Sequence, residues 1–390
     1  MANAKRKKRQ NKSQYFDYTL LTVVFFLLCI GLVMLYSVSS YDAKLTFDDS
    51  MFYLKNQFKN TLFGIVLLLI VMNLDYHRFE KWYLIAYIVS AVLIVLVLTP
   101  LGYEANGARR WLNLGVSLQP AEVAKVGLII YCASKVCRMG TRRLSELKGA
   151  IRLFFPCAVV AGMVFIITDN MSSAIIILGI CGVMVYMSTP DYKPYVLIIL
   201  IGAFFVSMVI LFVSKDWIPE FLKSSSGMFR IERIKAWLHP ESYANDKAFQ
   251  TIQALYAIGS GGLFGKGLGE SLQKQFVPEA QNDMIFAIIC EELGLFGAIL
   301  IMGLFILLLW RIMDIIYNAR DLFGMMLASG VFAHISIQVV LNLAVVTNLI
   351  PNTGISLPFI SYGGSSVVFL LIEIGIVLSV GRQAIFEEQQ

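Results

Sequence analysis

Charge is what this chain has least of. Asp, Glu, Lys and Arg make up 15% of its 390 residues and hydrophobic residues 58%, whereas a soluble domain carries about 25% charge. Mean hydropathy is +0.72. A soluble fold of this length could not hide so much apolar surface, which excludes a globular domain in water and leaves the bilayer as solvent. A basic face is missing as well. The net charge is +6, but the lysines and arginines sit in short segments between apolar runs, which excludes a nucleic-acid binder. Histidine is nearly absent: His77, His239 and His334 are the only three. The cysteines, Cys29, Cys132, Cys137, Cys157, Cys181 and Cys290, fall within or at the ends of apolar runs. Neither residue type shows metal-ligand spacing, and no disulfide framework is legible, so the thiols read as small packing residues.

A cleavable leader is not expected either. The basic run Lys5 to Arg9 is followed by polar residues and then an uncharged stretch from Tyr18 to Tyr41. A signal peptide has an apolar core of about 7–15 residues and a small-residue cleavage site. This stretch is longer and has no clear site, so it reads as a retained first span.

What is present is a succession of apolar runs near the roughly 20 residues that a membrane helix needs. The candidates are 18–40, 58–74, 82–101, 119–136, 153–168, 171–189, 194–214, 284–310, 322–349 and 365–381. The predicted fold is all-α: a polytopic membrane protein of about ten transmembrane helices, with a large extracellular loop, about 215–283, between the seventh and eighth. One transmembrane domain, 18–381, lies between a basic cytoplasmic tail, 1–17, and a second tail, 382–390. With the N-terminus inside, cytoplasmic segments hold eighteen lysines and arginines and the short outer loops five. That bias puts both termini in the cytoplasm. The long loop has eight basic and eight acidic residues. Its stretch Arg230 to Leu238 alternates apolar and charged residues at near-helical spacing, so amphipathic helices at the interface are expected there.

Ionisable groups inside a span are costly unless paired, and mark functional candidates. Glu122 and Lys125, three apart after Gln119 and Pro120, share a helix face. They are either a structural ion pair or a substrate contact. Before them, Arg109, Arg110 and Trp111 suit a phosphate or a lipid headgroup. Asp283 is the last polar residue before the eighth span and reads as a helix cap. Yet Glu279 precedes it, and Glu291 and Glu292 follow within the span, more carboxylates than a cap requires. Those two could line a cavity or pair with a cation, and Glu373 is an isolated buried acid. The glycine-rich segment 259–269 is not a phosphate-binding P-loop, since Ser260 and Gly267 stand where that pattern needs glycine and Ser/Thr. Backbone amides near Lys266 could still cradle a phosphate, or the segment is a hinge. From Leu322 to Ile372 there is no acidic residue, lysine or arginine. The Pro- and Gly-rich part of that stretch, Asn348 to Ser366, suggests a re-entrant segment covered by protein.

Taken in order, these motifs resemble the SEDS family, the FtsW, RodA and SpoVE group. Gly107 to Leu112 followed by Gln119 to Lys125 is similar to its G-x-R-R-W and Q-P-S-E-x-x-K region, and Arg230 to Pro240 to its R-x-x-R element. Gly261 to Gly269 resembles its glycine stretch, Pro278 to Gly294 its P-E-x-x-T-D-F-I-F-A-x-x-x-E-E-x-G motif, and Leu357 to Ser366 its L-P-F-x-S-Y-G-G-S-S motif. Asn282, Met284 and Ala121 depart from the family's threonine, phenylalanine and serine. Asn170 occupies the place of a family aspartate, with Asp169 beside it, so that acid's role does not carry over.

The resemblance implies a glycosyltransferase that polymerises lipid II, an undecaprenyl-pyrophosphate-linked disaccharide-pentapeptide, on the outer face of a bacterial cell membrane. The leaving group is already activated, so one base and cations facing the pyrophosphate suffice. Asp283 matches the family's essential aspartate, and partial desolvation would raise its pKa. Arg109, Arg110, Lys125 and Lys266 are candidates to face the pyrophosphate, with Glu122 and Glu279 as further substrate-site residues; Lys125 is alternatively held by Glu122. No metal-ligand set is visible, and a divalent cation such as Mg2+ remains open. A class B penicillin-binding protein and other divisome or elongasome membrane proteins are the implied partners. The segment Gly267 to Lys274 is closer to the FtsW and SpoVE form than to the RodA form, which points to septal synthesis in division; elongation and sporulation roles are the alternatives. A lipid II flippase is the competing class, although no inverted repeat is found. A non-catalytic scaffold is the third.

Overall fold

In the computed structural model, the residues described are 16–105, 108–113, 115, 117–140, 144, 146–189, 200, 204, 207–208, 210–214 and 225–385. The expected seventh span and both tails lie wholly or largely outside them. The helices are α1 (Tyr18–Phe47), α2 (Phe52–Asn73), α3 (His77–Lys81), α4 (Tyr83–Leu96), α5 (Pro120–Met139), α6 (Leu147–Thr168) and α7 (Met171–Ser188). After these come α8 (Ser225–Leu238), α9 (Phe249–Ser260), α10 (Ile285–Tyr317), α11 (Leu322–Val346) and α12 (Gly364–Gly381). Among the described residues, seven helices are long and apolar enough to cross a membrane. They are α1, α2, α6, α7, α10, α11 and α12; α4 is shorter, and α5 carries charges. The chain is a multi-pass membrane protein.

Local chemistry sets the helix ends. Asp17 accepts from the Leu20 amide at 2.8 Å, Asn170 from the Ser173 amide at 3.0 Å and Asp321 from the Gly324 amide at 2.8 Å. Each side chain satisfies one of the donors that a helix start leaves open. Pro120 opens α5, where its missing N–H costs nothing. The expected fifth span, 153–168, extends back to Leu147, because Pro156 is tolerated within α6. α8 covers the stretch Arg230 to Leu238, where amphipathic helices were expected, and α9 follows it.

Two features depart from the sequence reading. First, the connection between the expected third and fourth spans holds three short strands, which an all-α fold does not have. They form an antiparallel sheet, β1 (Gly102–Ala105), β2 (Ala108–Asn113) and β3 (Ser117–Leu118), with Tyr103 opposite Trp111. Strands this short carry too little alternation to be read from sequence. Second, α10 is broken at Gly294, whose φ is 68°. A Cβ there would lie 2.3 Å from the Gly265 nitrogen, so only glycine fits. The glycine-rich segment fills the break. Lys266 and Gly267 amides donate to the carbonyls of Glu291 and Glu292 at 2.9 and 3.0 Å, and the Leu295 amide donates to Gly262 at 3.0 Å. The amides near Lys266 are therefore spent on α10 and are not free to cradle a phosphate.

The helices pack as one bundle. α12 lies against α2, α11 against α5, α7 and α10, α4 against α5, and α1 against α10. Between α11 and α12 the backbone is irregular over residues 351–363, and Ile355, Leu357, Phe359 and Ile360 are buried. This segment reaches halfway along α1: a Cβ on Gly31 would meet the Phe359 carbonyl at 2.6 Å. Protein thus covers the non-helical backbone, as membrane depth requires.

Candidate active site

Asp283 precedes α10 but does not cap it. The capping position is Met284, which has no side-chain cap. The Asp283 carboxylate is free for other contacts because its main chain is held independently. Its carbonyl accepts from Asn342 Nδ2 at 2.8 Å, and the same amide group donates to Ile355 O at 2.7 Å. One α11 side chain thereby pins the start of α10 to the irregular segment.

Asp283 is 7% exposed. Gln250 Nε2, on α9, donates to its Oδ1 at 3.0 Å and to Pro278 O at 3.0 Å. Asn352 donates to the Gln250 Oε1 at 2.9 Å and also bonds the carboxylate. Burial pushes the Asp283 carboxyl up to about 6, with the nearby Glu279 charge adding to the rise and the two amides opposing it. Glu279 sits at φ 53° and accepts from Asn282 Nδ2. Gln250 and Asn352 also line a groove of about 240 Å³ together with Arg233, Trp237, Lys247 and Thr251. Asp283 is therefore one hydrogen bond behind a groove that carries two cations and an indole. Trp237 is fixed by donating to Asn348 O at 3.0 Å, Arg233 donates to Asn352 O at 3.4 Å, and Lys247 pairs with Glu232.

The other sequence candidates are distributed differently. Arg109 donates to Gly102 O and Thr99 O, and Arg110 to Thr168 O and Asp169 O. Both guanidinium groups thus tie the sheet to neighbouring carbonyls. Lys125 takes the alternative left open for it: it pairs with Glu122 at 2.8 Å and is 1% exposed. Ser366 Oγ donates to Glu122 at 3.3 Å, linking α5 to α12. Lys266 pairs with Glu291 at 2.6 Å and Lys274 with Glu292 at 3.5 Å. Of the two options for Glu291 and Glu292, cation pairing is the one realised. Glu373 is not isolated, because His334 Nδ1 meets it at 2.7 Å. The structure thus brings Asp283 near Glu279, while Glu122 bonds Lys125 and Ser366. Sequence reasoning missed Gln250, Asn352 and Lys247. The Arg230 to Pro240 motif, Pro278 and the Asn348 to Ser366 segment were the signals pointing at this groove.

Residues 18–385 match the cell cycle protein family that groups FtsW, RodA and SpoVE. The chain is 39% identical over 373 residues to stage V sporulation protein E of Bacillus subtilis, covering 94% of this chain and 97% of that one. It is 38% identical over 368 residues to the "Probable peptidoglycan glycosyltransferase FtsW" of Trichlorobacter lovleyi, covering 94% and 93%. Among solved structures, the rod shape determining protein RodA of Thermus thermophilus superposes with a TM-score of 0.66 at 26% identity, covering 95% and 98%. A chain from a peptidoglycan synthase complex that coordinates polymerization and crosslinking superposes with a TM-score of 0.75 at 26% identity, covering 94% and 98%.

Proposed function

The chain belongs to the FtsW, RodA and SpoVE family, and from that premise we propose that it is a peptidoglycan glycosyltransferase polymerising lipid II, with Asp283 as its general base. The sugar hydroxyl of one lipid-linked unit attacks the anomeric carbon of another. The new glycosidic bond forms as the bond to the polyprenyl pyrophosphate breaks, and the hydroxyl proton passes to the Asp283 carboxylate. The single observation that carries this reading is the company Asp283 keeps. It is a buried carboxylate held by neutral amides, beside a groove bearing Arg233, Lys247 and Trp237. A carboxylate so held keeps its charge available for a proton, and burial raises its basicity toward neutral pH. Arg233 and Lys247 provide positive charge where a pyrophosphate would leave.

Among the described residues no three carboxylates or histidines converge at Asp283. A divalent ion such as Mg2+ would therefore be carried mainly by the pyrophosphate, with Asp283 and Glu279 as the protein ligands within reach. Arg78, Lys81, Arg138, Arg320 and Arg382 lie at the end of the bundle opposite the sheet and Asp283, which supports a cytoplasmic placing of that end. The groove then faces outward. Identities of 39% and 38% to sporulation and FtsW relatives, against 26% to RodA, support the FtsW and SpoVE form over the elongation form, and within it we propose the division role. A class B penicillin-binding protein is the expected partner, and the septum the expected location.

Polymerisation of lipid II by the purified protein in detergent tests the reading, because a flippase needs two compartments and a polymerase does not. Asp283→Asn is expected to lower the rate by about 10²–10⁴-fold, the usual contribution of a positioned acid or base. Strand synthesis at the parental rate by that variant would remove Asp283 from the chemistry.

A further inference from the structure

Outside this site, three of the six cysteines converge. Cys132 on α5, Cys157 on α6 and Cys181 on α7 are 0%, 0% and 1% exposed, and their sulfurs all lie within 4.8 Å of one another. The Sγ atoms of Cys132 and Cys157 are 3.3 Å apart. Each residue sits near the middle of its helix, and the three helices pack against one another. A metal–sulfur bond is about 2.3 Å, so sulfurs sharing one ion lie roughly 4 Å apart. The triangle is already of that size.

Charge decides which ion it suits. Among the described residues no lysine, arginine or histidine bonds these sulfurs; their hydrogen-bond partners are one another and the Leu153 carbonyl. Three thiolates on a monovalent ion would bury two negative charges, and on a divalent ion one. An uncompensated buried charge costs several kcal/mol. Three thiolates on a trivalent centre carry none.

We propose that Cys132, Cys157 and Cys181 form a binding site for a trivalent thiophilic centre of the arsenite class, closed by three sulfurs from three helices. The reaction balances without a redox step. Arsenous acid exchanges three As–O bonds for three As–S bonds, and the three thiol protons leave with the three hydroxides as water. The neutral acid brings no charge into the hydrocarbon, and the neutral product leaves none there. Binding clasps α5, α6 and α7, and a ligand that binds only the folded chain raises its melting temperature.

The test uses the purified chain in detergent under a phosphine reductant. Arsenite is added, unbound arsenic is removed by desalting, and arsenic per protein is measured by elemental mass spectrometry. The expected result is about one arsenic per chain together with a raised melting temperature. Changes outside the ligand shell already cost about 10–100-fold in metal affinity, so Cys132→Ala, Cys157→Ala and Cys181→Ala should each lose more than that. Cys29→Ala, Cys137→Ala and Cys290→Ala should bind as the parent does. Phenylarsine oxide, which takes two thiols, should still bind each single variant of the cluster, showing that the remaining pair is folded in place. Failure of the parent chain to retain arsenite overturns the proposal, as does unchanged retention by the single-cluster variants.

Discussion

Glu122, Glu291, Glu292 and Glu373 each meet a basic side chain inside the protein, Lys125, Lys266, Lys274 and His334 respectively, whereas Asp283 meets two carboxamides. All five are buried. The inner four are neutralised where they stand. Lys125 and Glu122 pair within α5, Lys266 and Lys274 tie α10 to the segment before it, and His334 joins α11 to α12. Asp283 is given hydrogen bonds but no counter-charge. Carboxamides hold a carboxylate in place without removing its appetite for a proton. The contrast separates acids that build the bundle from the acid that can react within it.

The contrast can be broken most severely at Asp283 itself. Asp283→Asn should abolish most polymerisation and yet stabilise the fold near neutral pH. The sign follows from linkage. A carboxyl whose folded pKa is raised to about 6 contributes stability that is present below its unfolded pKa and lost as pH rises through about 6. At about pH 8 the native chain therefore carries the full cost of the buried charge, which asparagine removes. A melting temperature at that pH below the parent's would mean that the carboxylate is structural.

The inner pair should behave in the opposite way. Lys125→Met leaves Glu122 buried without its cation and should cost about 3–5 kcal/mol of stability. Adding Glu122→Leu to it should recover much of that loss, since an apolar replacement of both partners is often neutral or better. Thermal unfolding of the two variants measures the difference. Stability restored without activity would show that the pair also serves the reaction.

The smallest effects sharpen the comparison at Asp283. Ionisation of the base sets the acid limb of the pH–rate profile, near 6 in the parent. Glu279→Gln removes a charge that raises the Asp283 pKa, so the limb should move to lower pH. Gln250→Leu removes a hydrogen bond that lowers it, so the limb should move to higher pH. Limbs that stay in place in both variants would assign the titration to another group.

Several parts of this architecture were legible from local pattern. Runs such as Tyr18 to Tyr41 announce a spanning helix because the bilayer demands it of any uncharged stretch that long. The spacing of Glu122 and Lys125 places both on one helix face. The Pro- and Gly-rich stretch from Asn348 to Ser366 reads as non-helical because its residues cannot continue a helix. Asp283 stood out as the acid at a helix mouth. Its capping role was misread, because whether a side chain folds back on its own helix depends on competing donors, and Gln250 and Asn352 supply them from elsewhere.

The sequence by itself determined that this chain lives in a membrane, roughly where its helices run, and which acids lie along them. These follow from composition and short-range periodicity, which one stretch of chain expresses alone. The tertiary structure decided which acid stays without a counter-charge, that the glycine-rich segment repairs the break in α10, and that three separate thiols become one cluster. Those outcomes depend on contacts between segments far apart in the chain, and neutral amides, glycines and cysteines carry no local pattern that would announce them.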